Sequence, residues 1–407
     1  MKAEIIAVGT EILVGDIVNT NASFLSRELF SLGIDMYYQT VVGDNPGRLK
    51  ESIRLAFSRA DLVLFSGGLG PTEDDLTKET VAEYFGKELV FHPEISEKIK
   101  CYLKGRAPMS NEKQAYIPDG AKILDNKWGT APGIILEADG KTAILLPGPP
   151  KELVPMFTEY VAPYVKEKSG YAMSEKVLRL FGIGEAKVGE LVSDLMQGAN
   201  PTLAPYAKEG EVTLRIAAKA ANLAEAEALI APCEAEIRQR LSEYIYSTGE
   251  KGMAETVGQL LIEKGLSIAC AESCTAGRLT AALGDVSGIS AVLSESIVTY
   301  SNEAKMKYLG VSGVTLGAYG AVSRETAEEM AKGIAKKAGA DIGVSVTGIA
   351  GPGGGTEEKP VGLVYVGLAY KGKITSLQLN LHGNRDRIRN SSVLHALNLV
   401  RKAVLAE

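Results

Sequence analysis

A hydroxyl and an amine stand out as the chain's strongest candidates for covalent chemistry. Leu266 to Ala271 is a short apolar run suited to a buried strand, and Thr275 to Leu283 places apolar residues at helical spacing. Glu272-Ser273-Cys274 therefore falls at a strand-to-helix turn, which holds a side chain above the end of a sheet beside free backbone N–H groups. Ser273 is placed like a nucleophile. A serine needs a base, and the polar segment that follows the next apolar strand supplies Tyr300 and Lys305. The chain has three histidines, none near in sequence, so the pair read here is Ser/Lys rather than Ser/His. The competing structural reading makes Ser273 or Thr275 a helix cap and Lys305 a solvated lysine. Cys274, next to the serine, is an alternative attacking group.

A second constellation lies near the amino end. The apolar run Leu62 to Ser66 empties into glycines at 67, 68 and 70, followed at once by Glu73, Asp74 and Asp75. Such glycines let the backbone approach an anion and offer it N–H groups. Carboxylates beside a phosphate would repel it unless a metal lies between, so the pattern suggests metal-assisted phosphate chemistry. Alternatively Asp74 or Asp75 caps a helix starting near Leu76. A third loop, residues 348–355, is too rich in proline for a P-loop and lacks Gly-Lys-Ser/Thr, yet it directly follows a core strand. Thr347 is the candidate for substrate contact there, and Arg385, Arg387 and Arg389 gather at a helix start, where cations oppose the dipole and suit an anion better.

The elements that must carry these groups alternate. Strands are expected at 2–9, 36–42 and 62–66 with helices at 19–32 and 46–58, and Gly33 reads as a C-cap. That order implies a doubly wound α/β sheet with ligands at the carboxyl ends of its strands. From 175 to 248 the texture becomes that of a small α+β module: strands at 177–181 and 211–219, and an alanine- and glutamate-rich helix at 222–241 capped by Asn222. Thereafter a helix at 253–264, a capped helix at 322–337, a strand at 341–346, a hairpin about Lys371-Gly372-Lys373 and a closing helix from Arg385 indicate α/β again. Expected domains are 1–168, 172–249 and 252–407. A length of 407 residues suits several domains, and the net charge of -6 excludes a global basic field for nucleic acid or anionic membrane. The start of the chain reads as strand and loop rather than a signal peptide, and no run of about 18 apolar residues could span a bilayer. Four cysteines without C-x-x-C spacing fit a cytoplasmic protein with reduced thiols.

Glu272-Ser273-Cys274-Thr275-Ala276-Gly277, Gly288 to Ser290, Val298 to Lys305 and Val346 to Gly355 stand in this order, and together they resemble the C-terminal domain of the CinA family, the nicotinamide mononucleotide deamidases. The resemblance implies that Lys305, held neutral, takes the proton of Ser273 as it attacks the carboxamide carbon, with Tyr300 relaying or orienting the proton. Ser290 would complete the hydrogen-bond chain or itself be the nucleophile. Thr275, Gly277, Thr347, Gly348, Gly351 and Arg389 are the candidate substrate contacts. The first half, through Gly9-Thr10-Glu11, Asn19-Thr20-Asn21, Asp44, residues 67–77, Gly129 to Gly133 and Pro147 to Pro150, resembles the molybdopterin-binding domain in its CinA variant. In that variant the expected ligand is ADP-ribose, cleaved at its pyrophosphate with a divalent metal. Gly67, Gly68, Gly70, Asn19, Asp44, Thr130, Pro147 and Gly148 would bind it, with Asp74, Asp75 and Glu11 as metal candidates. Leu69 stands where the cofactor proteins have threonine, which weighs against a pterin adenylyltransferase. No cofactor is expected for the C-terminal domain. A homodimer is expected, and nucleic acid is not, since no Gly-x-x-Gly loop in the KH-like middle module is flanked by basic residues. A competence-associated nucleotide-binding scaffold, or a deamidase whose N-terminal domain is inactive, are the alternatives.

Overall fold

The computed structural model describes residues 1–106 and 108–406. The chain divides into two compact units, Met1–Glu175 with Ala217–Pro232, and Lys176–Ile216 with the chain from Cys233 onward.

The first unit is built on a mixed sheet. Its strands are β1 (Lys2–Val8), β2 (Asp35–Val42), β3 (Leu62–Ser66), β4 (Lys122–Leu124), β5 (Gly133–Ala138) and β6 (Lys141–Leu146), ordered β2-β1-β3-β6-β5-β4. β1, β2, β3 and β6 run parallel, whereas β5 and β4 are antiparallel. β3 is buried along its whole length, as a strand covered on both faces must be, which explains its unbroken apolar run. Helix α1 (Thr20–Ser31) buries Ala22, Leu25 and Leu29, and α2 (Pro46–Arg59) buries Leu49, Ile53, Ala56 and Phe57. Asn19 caps α1 by accepting from the Ala22 N–H at 3.0 Å, and Gly33 follows it at φ 73°. Helix α3 (Thr77–Tyr84) starts one residue later than read and has no side-chain cap. Neither Asp74 nor Asp75 caps it.

Between the two α/β sheets in sequence, β7 (Ala172–Leu180), β8 (Thr202–Lys208), β9 (Glu211–Ala220) and β10 (Ile245–Thr248) form a four-stranded sheet ordered β8-β9-β7-β10, and helix α4 (Leu223–Leu241) follows β9. Strands β8 and β10 are additions to the sequence reading. Pro205 interrupts β8, and β10 is only four residues long, too short for an alternation to show.

The second unit contains β11 (Ile268–Glu272), β12 (Leu293–Val298), β13 (Ile342–Gly348), β14 (Leu363–Tyr370) and β15 (Lys373–Asn380), ordered β12-β11-β13-β14-β15. β11 pairs in parallel with both β12 and β13, while β14 and β15 are antiparallel. Around it stand α5 (Met253–Lys264), α6 (Arg278–Gly284), α7 (Asn302–Leu309), α8 (Arg324–Ala338) and α9 (Arg385–Leu405). One apolar cluster gathers Val257, Leu261, Cys270, Val344, Val366, Ala396 and Val400 with Phe181 and Tyr246. Among the described residues no helix is long and apolar enough to cross a membrane.

Candidate functional sites

In the second unit the chain leaves β11 toward β12 on one side and later returns as β13 on the other, so β11 is where strand order reverses. Such a switch point opens a crevice at the carboxyl ends of its strands. Register fixes what meets there: Glu272 pairs with Val298 and with Val346, so Ser273, Thr299 and Thr347 leave the sheet at one level. The Ser273 N–H donates to the Val346 carbonyl at 2.9 Å, and the Thr299 N–H to the Glu272 carbonyl at 2.8 Å.

Lys305 is brought to this edge by α7, which Ser301 caps by accepting from the Ala304 N–H at 3.2 Å. Its side chain runs inward and is 1% exposed. Nζ stands 3.1 Å from Ser273 Oγ, 2.9 Å from the Thr299 carbonyl and 3.4 Å from the Tyr300 carbonyl. None of these partners is an anion. A buried ammonium without a counter-charge is costly, and burial accordingly holds this amine below the ordinary lysine range. A neutral amine has two N–H donors and one lone pair, matching two carbonyls and one hydroxyl. Ser273, 8% exposed, keeps a narrow opening to solvent.

The turn after Ser273 leaves the N–H groups of Cys274 and Thr275 without an acceptor among the described residues. Unengaged N–H groups beside a nucleophile are the kind of donor that can receive an oxyanion. Cys274 is buried, and burial pushes its thiol up to about 11, while the Lys305 amine hydrogen-bonds to the Ser273 hydroxyl beside it. Three of the buried side-chain atoms left without a partner surround this turn: Thr275 Oγ1, Thr299 Oγ1 and Arg389 Nε. Arg389 Nη2 donates to the Thr275 carbonyl at 2.7 Å.

Several candidates sit elsewhere or act differently. Ser290 is exposed and precedes β12, level with the amino end of β11. About five residues of strand, roughly 16 Å, separate it from Ser273, because parallel pairing sends the start of one strand to the start of its neighbour. Within the chain it is out of hydrogen-bonding reach of Ser273 and Lys305. The Tyr300 hydroxyl accepts from Arg385 Nη2 at 3.2 Å on an exposed side chain, and only the Tyr300 carbonyl touches Lys305. Arg385 Nη1 also donates to the Gly351 carbonyl at 2.7 Å, tying the glycine loop to Tyr300. Thr347 is turned inward and donates to the Ala321 carbonyl at 2.7 Å. The Gly277 N–H is already taken by Glu272 at 2.9 Å. Gly348 closes β13, and a Cβ there would stand 2.6 Å from Val364 Cγ2. Sequence reasoning passed over Glu272 and Thr299. The acidic residue immediately before the candidate nucleophile was the one available signal.

In the first unit β1 is likewise the reversal point, between β2 and β3, and a cavity of about 730 Å³ opens at the carboxyl ends. It is lined by Glu11, Asn19, Asp44, Gly67, Gly68, Leu69, Gly70, Asp74, Asp75, Thr130, Pro147 and Gly148 among others, a size suited to a nucleotide. The turn is packed so closely that glycine is required: a Cβ on Gly67, at φ 99°, would lie 2.3 Å from the Val8 carbonyl oxygen. Gly67→Ala is therefore expected to destabilise this unit by about 2 kcal/mol or more, read as a lowered unfolding temperature. The N–H groups of Gly68, Leu69 and Gly70 meet no acceptor among the described residues. Asn21 Nδ2 binds Ser66 Oγ at 2.9 Å and the Gly148 carbonyl at 2.7 Å, pinning the turn after β6 to the end of β3.

The carboxylates do not converge. Asp44 Oδ2 accepts from the Thr10 N–H at 2.9 Å and Oγ1 at 2.8 Å, and Asp75 Oδ2 accepts from the Thr72 N–H at 3.0 Å. Among the described residues no three His, Cys, Asp or Glu side chains form a group that could hold a metal ion. Asp74, Asp75 and Glu11 thus do not form a preformed metal site, and Asp75 commits one carboxylate oxygen to Thr72.

Fold and sites together define a mosaic α/β protein, in which a doubly wound molybdopterin-binding-like domain precedes a small KH-like module and a domain carrying a buried Ser–Lys pair. Residues 4–167 match the family described as "Probable molybdopterin binding domain", 175–247 the damage-inducible protein CinA KH domain, and 250–404 the CinA C-terminal domain. The chain is 55% identical to a CinA-like protein of Kosmotoga olearia, covering 100% of this chain and 99% of the relative. It is 53% identical to a CinA-like protein of Dictyoglomus turgidum, covering 100% of both. The solved competence/damage inducible protein CihA from Agrobacterium tumefaciens shares 41% identity over 38% of this chain and 96% of its own, with a TM-score of 0.36. The chain belongs to the CinA family.

Proposed function

We propose that the C-terminal domain is an amidohydrolase that converts nicotinamide mononucleotide to nicotinate mononucleotide and ammonia. The observation that carries this reading is the buried, counter-charge-free Lys305 amine 3.1 Å from Ser273 Oγ. In the first half-reaction the Lys305 lone pair accepts the Ser273 proton as Oγ attacks the carboxamide carbon. The carbonyl oxygen becomes an oxyanion facing the Cys274 and Thr275 N–H groups. As it collapses, the Lys305 ammonium gives its proton to the departing nitrogen, which leaves as ammonia. Water then adds to the Ser273 ester with Lys305 again as base, releasing the acid and restoring the hydroxyl. The pyridinium of the substrate adds positive charge near Lys305, which favours its neutral form. Incubating the full chain with nicotinamide mononucleotide and measuring ammonia and nicotinate mononucleotide tests the reading, and a competence-associated scaffold would release neither.

The N-terminal cavity supports a second activity on a separate ligand, the pyrophosphate of ADP-ribose. Three unengaged N–H groups at its glycine turn suit an anionic oxygen. Since those contacts are backbone groups, ADP-ribose is expected to bind with a chelator present, as read by calorimetry. Assaying AMP and ribose phosphate with and without added divalent cation decides whether the cavity also cleaves the pyrophosphate. A domain that binds but yields no product under any divalent cation would be a nucleotide-binding module alone.

A further inference from the structure

The residue just before the nucleophile is a carboxylate with no exposure to solvent. Glu272 accepts from the Gly277 N–H at 2.9 Å, the Leu279 N–H at 3.1 Å, the Thr280 N–H at 2.9 Å and Thr280 Oγ1 at 2.6 Å. All four partners are donors. Only an acceptor-only side chain with several lone pairs satisfies them, and a carboxylate is that group. The segment it grips is unusual, because Ala276 and Gly277 both adopt left-handed conformations, at φ 49° and 90°. An alanine does not hold that shape unaided. The Ala276 N–H closes a turn onto the Ser273 carbonyl at 3.1 Å, and the Cys274 and Thr275 N–H groups at the centre of that turn are unengaged among the described residues.

We propose that Glu272 is a positioning residue for the deamidation step: its buried carboxylate ties the end of the 273–277 turn, through the Gly277 N–H, to the first turn of α6, through Leu279 and Thr280, and so presets the two N–H groups that receive the oxyanion. The proposal rests on the Ser273–Lys305 hydrolase reading. It differs from the plain alternative, that Glu272 merely caps the short helix α6, in what its loss changes. A cap contributes to stability alone. A positioning residue contributes to the transition state, where the oxyanion exists, and little to the ground state, where it does not.

The test uses the full chain carrying Glu272→Gln. The amide retains shape but offers one acceptor oxygen and turns an NH2 toward backbone donors. The kcat for nicotinamide mononucleotide is expected to fall by about 100-fold while KM stays within about 2-fold. The pH at which the rate rises is expected to stay where it is in the unsubstituted protein, because the Lys305 contacts are intact. Should Glu272→Gln not fold, Thr280→Val removes one of the four donors and is expected to cost roughly 5- to 10-fold in kcat, with Thr280→Ser restoring it. A folded Glu272→Gln protein with unchanged kcat, or a loss confined to KM, overturns the proposal. A second readout is independent of the substrate: phosphonylation of Ser273 by a fluorophosphonate also develops an oxyanion and is expected to slow in parallel. If the unsubstituted protein is labelled but releases no ammonia, the substrate reading fails, and the ratio of labelling rates still decides the role of Glu272.

Discussion

Ser273→Ala is expected to abolish ammonia release from nicotinamide mononucleotide, with kcat falling by at least about 10⁴-fold. The loss is large because no other group on the page can replace the hydroxyl. Cys274 is adjacent, but its thiol is buried and raised to about 11, so a thiolate does not take over the attack. Ser290 stands at the opposite end of the sheet. The substitution removes one small oxygen from a nearly buried position, so the unfolding temperature is expected to change little. Substrate binding, measured by calorimetry, should persist, since the hydroxyl matters most in the bond-forming step. Cys274→Ala and Ser290→Ala serve as controls and should retain most of the activity. Undiminished ammonia release by Ser273→Ala would remove the nucleophile from the scheme.

Lys305→Met carries the second large effect. Removing a positioned general base lowers kcat by roughly 10²- to 10⁴-fold, and methionine fills nearly the same buried space without a lone pair to accept the proton. Lys305→Arg should be equally inactive, because guanidinium stays protonated at every accessible pH. The pH dependence of the unsubstituted enzyme has a definite sign. Burial lowers the pKa of Lys305, and the working form is the neutral amine. Activity therefore falls as pH drops below that lowered pKa, where the amine becomes an ammonium without a lone pair. It rises with pH and levels off before the ordinary lysine value near roughly 10.4. A rate profile that climbs only at that ordinary value, or a Lys305→Met protein with a normal profile, would leave the serine without its base.

Much of the scaffold was legible because its signals are local. The unbroken apolar run Leu62 to Ser66 marked a doubly covered strand, and Asn19, Asn222 and Ser323 marked helix starts that their side chains do cap. The glycine turn at 67–70 announced a close backbone approach, which the Val8 carbonyl provides. Ser273 could be placed above a sheet because a strand pattern stops and a helix pattern begins around it. The strand Thr202–Lys208 escaped notice because Pro205 stands in its middle, and a proline argues against a strand.

The sequence by itself determined which groups are available and at which turns they stand: a serine after one strand, a lysine after the next, glycines and carboxylates after a third. It could not say which of these face one another, because contact depends on strand order and direction rather than on distance along the chain. The three-dimensional structure brought Lys305 to Ser273 through two parallel strands ending at one level, and the same parallel pairing carried Ser290 to the far end of the sheet. It also decided electrostatics that no spacing encodes. Burial among uncharged partners holds Lys305 below the ordinary lysine range, whereas Asp44 and Asp75 each commit one carboxylate oxygen to a threonine, Thr10 and Thr72.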